Sequence, residues 1–78
     1  MTERMTEIPV KRSCLVEAVE GRERLRFFEL GFFRGSRVVP VYECAGGGTR
    51  VYLVKDTLIA LRNGDAERIL VKAVAEDA

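Results

Sequence analysis

The chain has 78 residues, 13 Lys+Arg against 12 Asp+Glu, no histidine and a formal charge of +1. That length holds one domain, and 47% apolar with 32% charged residues is a globular balance rather than a disordered one. The near-zero charge excludes a dedicated phosphate-backbone binder, the lack of histidine removes the usual general base near neutral pH, and no apolar run approaches the roughly 20 residues of a membrane span.

Residues 1–8 are polar and acidic, and they read as a flexible terminus before Pro9. The opening Met1-Thr2-Glu3-Arg4 lacks the charged-then-apolar layout of a signal peptide, so the expected location is cytoplasmic. Val10 to Val19 reads as a strand with Cys14, Val16 and Ala18 on one face and Leu15, Glu17 and Val19 on the other. Gly21 ends it. From Arg22 to Leu30 the period changes: Leu25 and Phe28 are three apart, as are Phe27 and Leu30, which predicts a short amphipathic helix. Gly31 follows where a left-handed closing residue is wanted, and Phe32 is placed to fold back on the last turn.

Gly35-Ser36 turns into a β-branched strand from Arg37 to Cys44, where Pro40 implies either a sheet edge or a bulge. Ala45-Gly46-Gly47-Gly48 is a hairpin tip. It is no phosphate loop, because no Lys-Ser/Thr follows and no helix opens after it. Thr49 to Val54 is the second arm, with Val51 and Leu53 alternating against Arg50 and Tyr52. Lys55-Asp56 makes a tight turn, and Thr57 to Leu61 forms a strand with Ile59 and Leu61 on one face. Asn63 is placed to cap one helical turn. Ile69, Val71 and Ala73 make the last strand, and residues 76–78 read as a flexible acidic end. Short strands with tight turns in so small a chain predict a closed or half-closed barrel with the helix plugging one end.

No catalytic constellation emerges. Cys14 and Cys44 could form one disulfide, stay reduced and buried, or join a carboxylate as weak candidate metal ligands; no Cys-x-x-Cys is present. All four phenylalanines lie between positions 27 and 33, more than one helical face can bury. Two or three are expected in the core and one, Phe33, at the surface as a contact point. Arg22, Arg24 and Arg26 around Glu23 read either as a solvated face or as a basic patch for an acidic partner.

The run Leu25-Arg26-Phe27-Phe28-Glu29-Leu30-Gly31-Phe32-Phe33-Arg34-Gly35-Ser36-Arg37-Val38 resembles the helix-turn-strand signature of the FeoA family, small accessory proteins of bacterial ferrous-iron uptake. Asp56-Thr57-Leu58-Ile59-Ala60-Leu61-Arg62 is similar to the family's Ile-Ala-Leu strand, and Ala66-Glu67-Arg68-Ile69-Leu70-Val71 to its Ala-x-x-Ile-x-Val close. The chain departs where Glu7 to Arg12 carries no glycine, where Pro40 replaces a common inward aliphatic residue, and where Asp56 replaces a frequent glycine.

The resemblance implies a mainly β fold: a small SH3-like barrel of about five strands with one short inserted helix, spanning residues 9–75. It implies a non-enzymatic role in ferrous-iron transport through the cytoplasmic G domain or membrane face of a FeoB-like transporter, with the chain itself neither membrane-spanning nor bound to nucleic acid. Partner contacts are expected at Arg26, Glu29, Phe33 and Arg34. No cofactor is evident, and an association with iron is implied by the resemblance alone. The alternative is a free-standing metal-responsive regulatory adaptor resembling the SH3-like domain of iron-dependent repressors, with Cys14, Cys44 or surface carboxylates as ligands.

Overall fold

The computed structural model describes residues 2–74. Six strands form one antiparallel sheet: β1 (Thr2–Arg4), β2 (Cys14–Val19), β3 (Arg37–Glu43), β4 (Thr49–Val54), β5 (Thr57–Arg62) and β6 (Ile69–Ala73). Their spatial order is β1-β6-β2-β3-β4-β5. Two short helices interrupt them, α1 (Arg24–Leu30) between β2 and β3 and α2 (Asn63–Ala66) between β5 and β6. The mainly β fold expected from the sequence is therefore present, with six strands and two helices rather than about five and one. The sheet wraps around Met5, Ile8, Phe27, Phe32, Tyr52, Val54, Ile69 and Val71, all essentially inaccessible to solvent. Among the described residues, no helix is long and apolar enough to cross a membrane.

The N-terminus corrects the sequence reading. Thr2–Arg4 pairs with β6, and a 3-10 turn over Met5–Glu7 follows. Met5 and Ile8 are buried, because this segment covers the side of the core that the sheet leaves open. Its polar residues face out while these two apolar side chains face in. The segment expected at the other end, residues 76–78, lies outside the described residues.

Strand β2 starts at Cys14, not Val10, and its face alternation breaks midway. Val16 pairs with Val71 but Ala18 pairs with Leu70, so Glu17 is an extra residue. Such a bulge reverses the inward phase beyond it. Ala18 is consequently exposed, whereas Val19 packs against the core, the opposite of the alternation read from the sequence.

Strand β3 is an interior strand that bulges, with a register shift against β4 between Pro40 and Tyr42. Its pairing with β2 stops at Val38, and the Pro40 carbonyl accepts the Lys11 N–H at 2.6 Å. The missing proline N–H thus falls where no ladder bond is needed. On β4 the inward set is Arg50, Tyr52 and Val54, with Leu53 outward, so the buried phase includes a charged residue. Asn63 lies inside the single turn of α2 and Arg62 flanks it without a side-chain bond, so the expected Asn63 cap is not formed.

Arg50 explains how the open side is closed. Its side chain is 4% exposed. Nη1 donates to the Thr6 carbonyl at 3.0 Å and Nη2 to the Ile8 carbonyl at 2.8 Å, tying the N-terminal turn to β4. The guanidinium also stands 5.6 Å from the Tyr52 ring centre. A planar fork of donors satisfies several carbonyls at once, which a backbone strand at this seam would otherwise do.

Candidate functional site

Helix α1 is positioned by its end rather than its start. Gly31 adopts φ 107°, its N–H donates to the Phe28 carbonyl at 3.0 Å, and the Phe32 N–H donates to Phe27 at 2.8 Å. These paired bonds close the helix and fold the chain back, bringing residues five apart together. Phe27 meets Phe32 edge-on, with ring centres 6.4 Å apart at 83°, and both are buried. The fold-back of Phe32 follows the sequence expectation.

The same geometry makes a second aromatic pair on the outside. Phe28 lies 5.0 Å from Phe33 at a tilt of 41°. Phe28 is 56% exposed, and Phe33 is half-buried with Lys55 Nζ 4.9 Å over its ring. The most exposed phenylalanine is therefore Phe28, not Phe33. Adjacent positions 27 and 28 cannot both face the core, and Phe27 takes that place.

Between α1 and the end of β2 lies a groove of about 300 Å³ lined by Ala18, Val19, Phe28, Phe32 and Phe33, with Arg24 and Arg34 on its walls. The bulge in β2 contributes directly, by turning Ala18 outward into the groove's lining. Leu25, 70% exposed, adds an apolar side chain one residue along from Arg24.

Of the four expected contact residues, the structure brings Phe33 and Arg34 into this groove. Arg26 and Glu29 are exposed on other faces of α1, and Arg26 is bonded to Glu23 at 3.2 Å. Leu25 and Phe28, whose spacing predicts the amphipathic helix, are exposed, and Arg24, one of the arginines expected on a solvated face or a basic patch, borders the groove. The signal that would have found Phe28 is the five-residue spacing of Phe27 to Phe32 and Phe28 to Phe33 across a closing glycine. One pair in the core then puts the other outside.

The cysteines are placed apart in character. Both are free thiols. Cys14 is buried, its Sγ lies 3.4 Å from the Val38 carbonyl, and burial pushes its pKa up to about 11, with the nearby Glu3 charge adding and Arg50 opposing. A thiol held protonated is a poor nucleophile and a poor metal ligand. Cys44 is half-buried at the start of the β3–β4 loop. Among the described residues, no three His, Cys, Asp or Glu side chains converge as a metal cluster.

Comparison with known proteins follows the same lines. The family model described as the FeoA domain matches residues 3–73. FeoA of Stenotrophomonas maltophilia, solved complexed with zinc and described as a procaryotic SH3 domain protein with a suggested role as a ferrous iron transport activating factor, is 33% identical. That match covers 92% of this chain and 89% of the other, at a TM-score of 0.78. FeoA protein of Chlorobium tepidum superimposes at 0.86 with 23% identity, over 96% of this chain and 73% of its own. A FeoA-like protein of Clostridium acetobutylicum superimposes at 0.87 with 20% identity, over 99% and 92%. These last two likenesses show the fold. The comparison with curated proteins gave no match.

Proposed function

The chain belongs to the FeoA family, and from that premise we propose that it is a non-enzymatic accessory of ferrous-iron transport that acts by binding the cytoplasmic part of a FeoB-like transporter. The observation that supports this reading most is the Phe28–Phe33 pair. Two aromatic rings tilted against each other at 5.0 Å, one of them largely exposed, keep apolar surface in water on so small a domain. Folding gains nothing from that exposure, whereas a partner covering it would gain. The small barrel supplies the rigid support: Phe27 and Phe32 are buried in its core while Phe28 and Phe33 lie outside it.

Isothermal titration of the protein with the transporter's isolated cytoplasmic domain tests the proposal. Binding is expected for the wild type, with a loss of roughly tenfold or more for Phe28→Ala, as for a central aromatic contact. No heat with the wild type at high micromolar concentration would reject the partner. Metal-responsive action finds less support here, since Cys14 is buried and, among the described residues, no three His, Cys, Asp or Glu side chains converge.

A further inference from the structure

We infer that the groove between α1 and β2 takes an acidic, apolar-anchored peptide segment: one aliphatic or aromatic side chain seated against Phe28 and Phe33, with carboxylates on either side meeting Arg24 and Arg34. This deepens the proposed docking role, and rests on it, by stating the chemistry of what docks.

Three observations carry it. The first is size. At about 300 Å³ the groove lies at the small end of ligand cavities, room for one or two side chains. Its lining is mostly apolar, through Ala18, Val19 and the phenylalanines.

The second is charge. Two carboxylates near α1 in sequence are engaged elsewhere, Glu23 with Arg26 at 3.2 Å and Glu20 with Arg4 at 3.0 Å, and Glu29 on α1 itself lies outside the groove lining. Among the described residues, neither Arg24 nor Arg34 has a carboxylate within ion-pair distance. Lys55 adds to the positive side through its position over Phe33. Two unpaired guanidiniums flanking an apolar slot select carboxylates, bind them through planar forks, and repel basic segments.

The third is shape. The aromatic pair and both arginines border a hollow, with Phe28 the most exposed of its rings. A hollow receives an inserted side chain. The Phe28 and Phe33 rings are fixed by the Gly31 closure and the Phe27–Phe32 contact, so little ordering cost falls on binding.

The test uses three probes on the full chain. One is a labelled peptide with a central Phe-Leu flanked by two acidic residues on each side. The second carries lysines in place of those acids, and the third is a vesicle of half phosphatidylglycerol. The acidic peptide is expected to shift the amide resonances of Ala18, Val19, Phe28 and Phe33 and to compete with the transporter's cytoplasmic domain. Arg24→Glu with Arg34→Glu should weaken it roughly tenfold or more, while Arg26→Glu leaves it within about twofold. Equal binding of the lysine peptide, or acidic-peptide shifts elsewhere on the surface, would overturn the inference. Binding to vesicles without binding to either peptide would overturn it in favour of a lipid surface. If the transporter domain binds but neither the arginine variants nor Phe28→Ala weaken it, the groove assignment fails while the proposed partner stands. Folding of each variant is checked by its amide spectrum, so loss of binding is read only from folded protein.

Discussion

Replacing Arg50 by methionine isolates the side chain that closes the barrel. Methionine keeps much of the stem's volume, so the cavity term is small. What is lost is the guanidinium, which donates to the Thr6 and Ile8 carbonyls at 3.0 and 2.8 Å. Its Nη1 also lies 3.5 Å from the Met5 carbonyl, which already accepts the Ile8 N–H, so that contact adds little. Leaving each of two carbonyls without its donor costs about 1–3 kcal/mol, for a total near ~3 kcal/mol once partial rehydration is allowed. A chain of 78 residues has a total stability of about 4–12 kcal/mol, so the loss is a large fraction. In a domain this size each kcal/mol moves the melting point by about 4–8 °C, predicting a fall of about 12–24 °C. Urea unfolding followed by circular dichroism gives the stability. Hydrogen exchange at Ile8 and Lys11 tells whether the N-terminal turn opens first. A loss under about 1 kcal/mol, with exchange unchanged at those amides, would refute the closing role of Arg50.

Gly31→Ala should destabilise by about 1–2 kcal/mol or more, since Gly31 sits at φ 107° and an added Cβ would meet Lys55 Cγ at 3.3 Å and Val54 Cγ2 at 3.4 Å. The same urea assay measures it, and an unchanged midpoint would contradict the helix closure. Asp56→Gly should stabilise by about 0.5–1 kcal/mol, because Lys55 and Asp56 both hold positive φ, 51° and 62°, in the two-residue β4–β5 turn. The Cys14 thiol has its pKa raised from 9.0 to about 11, so its contribution is fully present below pH 9 and is lost as pH rises through about 11. Stability measured from pH 8 to 11 should fall, Tyr52, likewise raised by burial, adding at the upper end, and Cys14→Ala should reduce the slope; an identical slope would contradict the burial argument. With a thiol reagent at neutral pH, Cys44 should react well before Cys14 in the native protein.

Much of this fold is legible in the residues because local chemistry decides it. Gly31 and Phe32 announce the helix end, Lys55-Asp56 the tight turn, and the spacing of Ile69, Val71 and Ala73 the last strand's inward face. What is not legible depends on partners distant in sequence. Met5 and Ile8 look like members of a polar terminus until the open side of the barrel, closed through Arg50, gives them a place to be buried. The β2 bulge depends on how β6 aligns with it, so nothing in Cys14 to Val19 alone predicts that Ala18 faces out. The groove was half legible. The aromatic excess pointed to an exposed ring near Gly35, but a helix of seven residues with one buried position, Phe27, leaves Phe28 outside rather than Phe33 alone.

The most direct measurement is an amide-resonance titration of labelled protein with the transporter's cytoplasmic domain. The account predicts that perturbations and line broadening concentrate at Ala18, Val19, Leu25, Phe28, Phe33 and Arg34, the residues on and beside the groove. Perturbations confined to exposed residues outside the groove, such as Leu58 and Tyr42, with the groove unmoved, would contradict it.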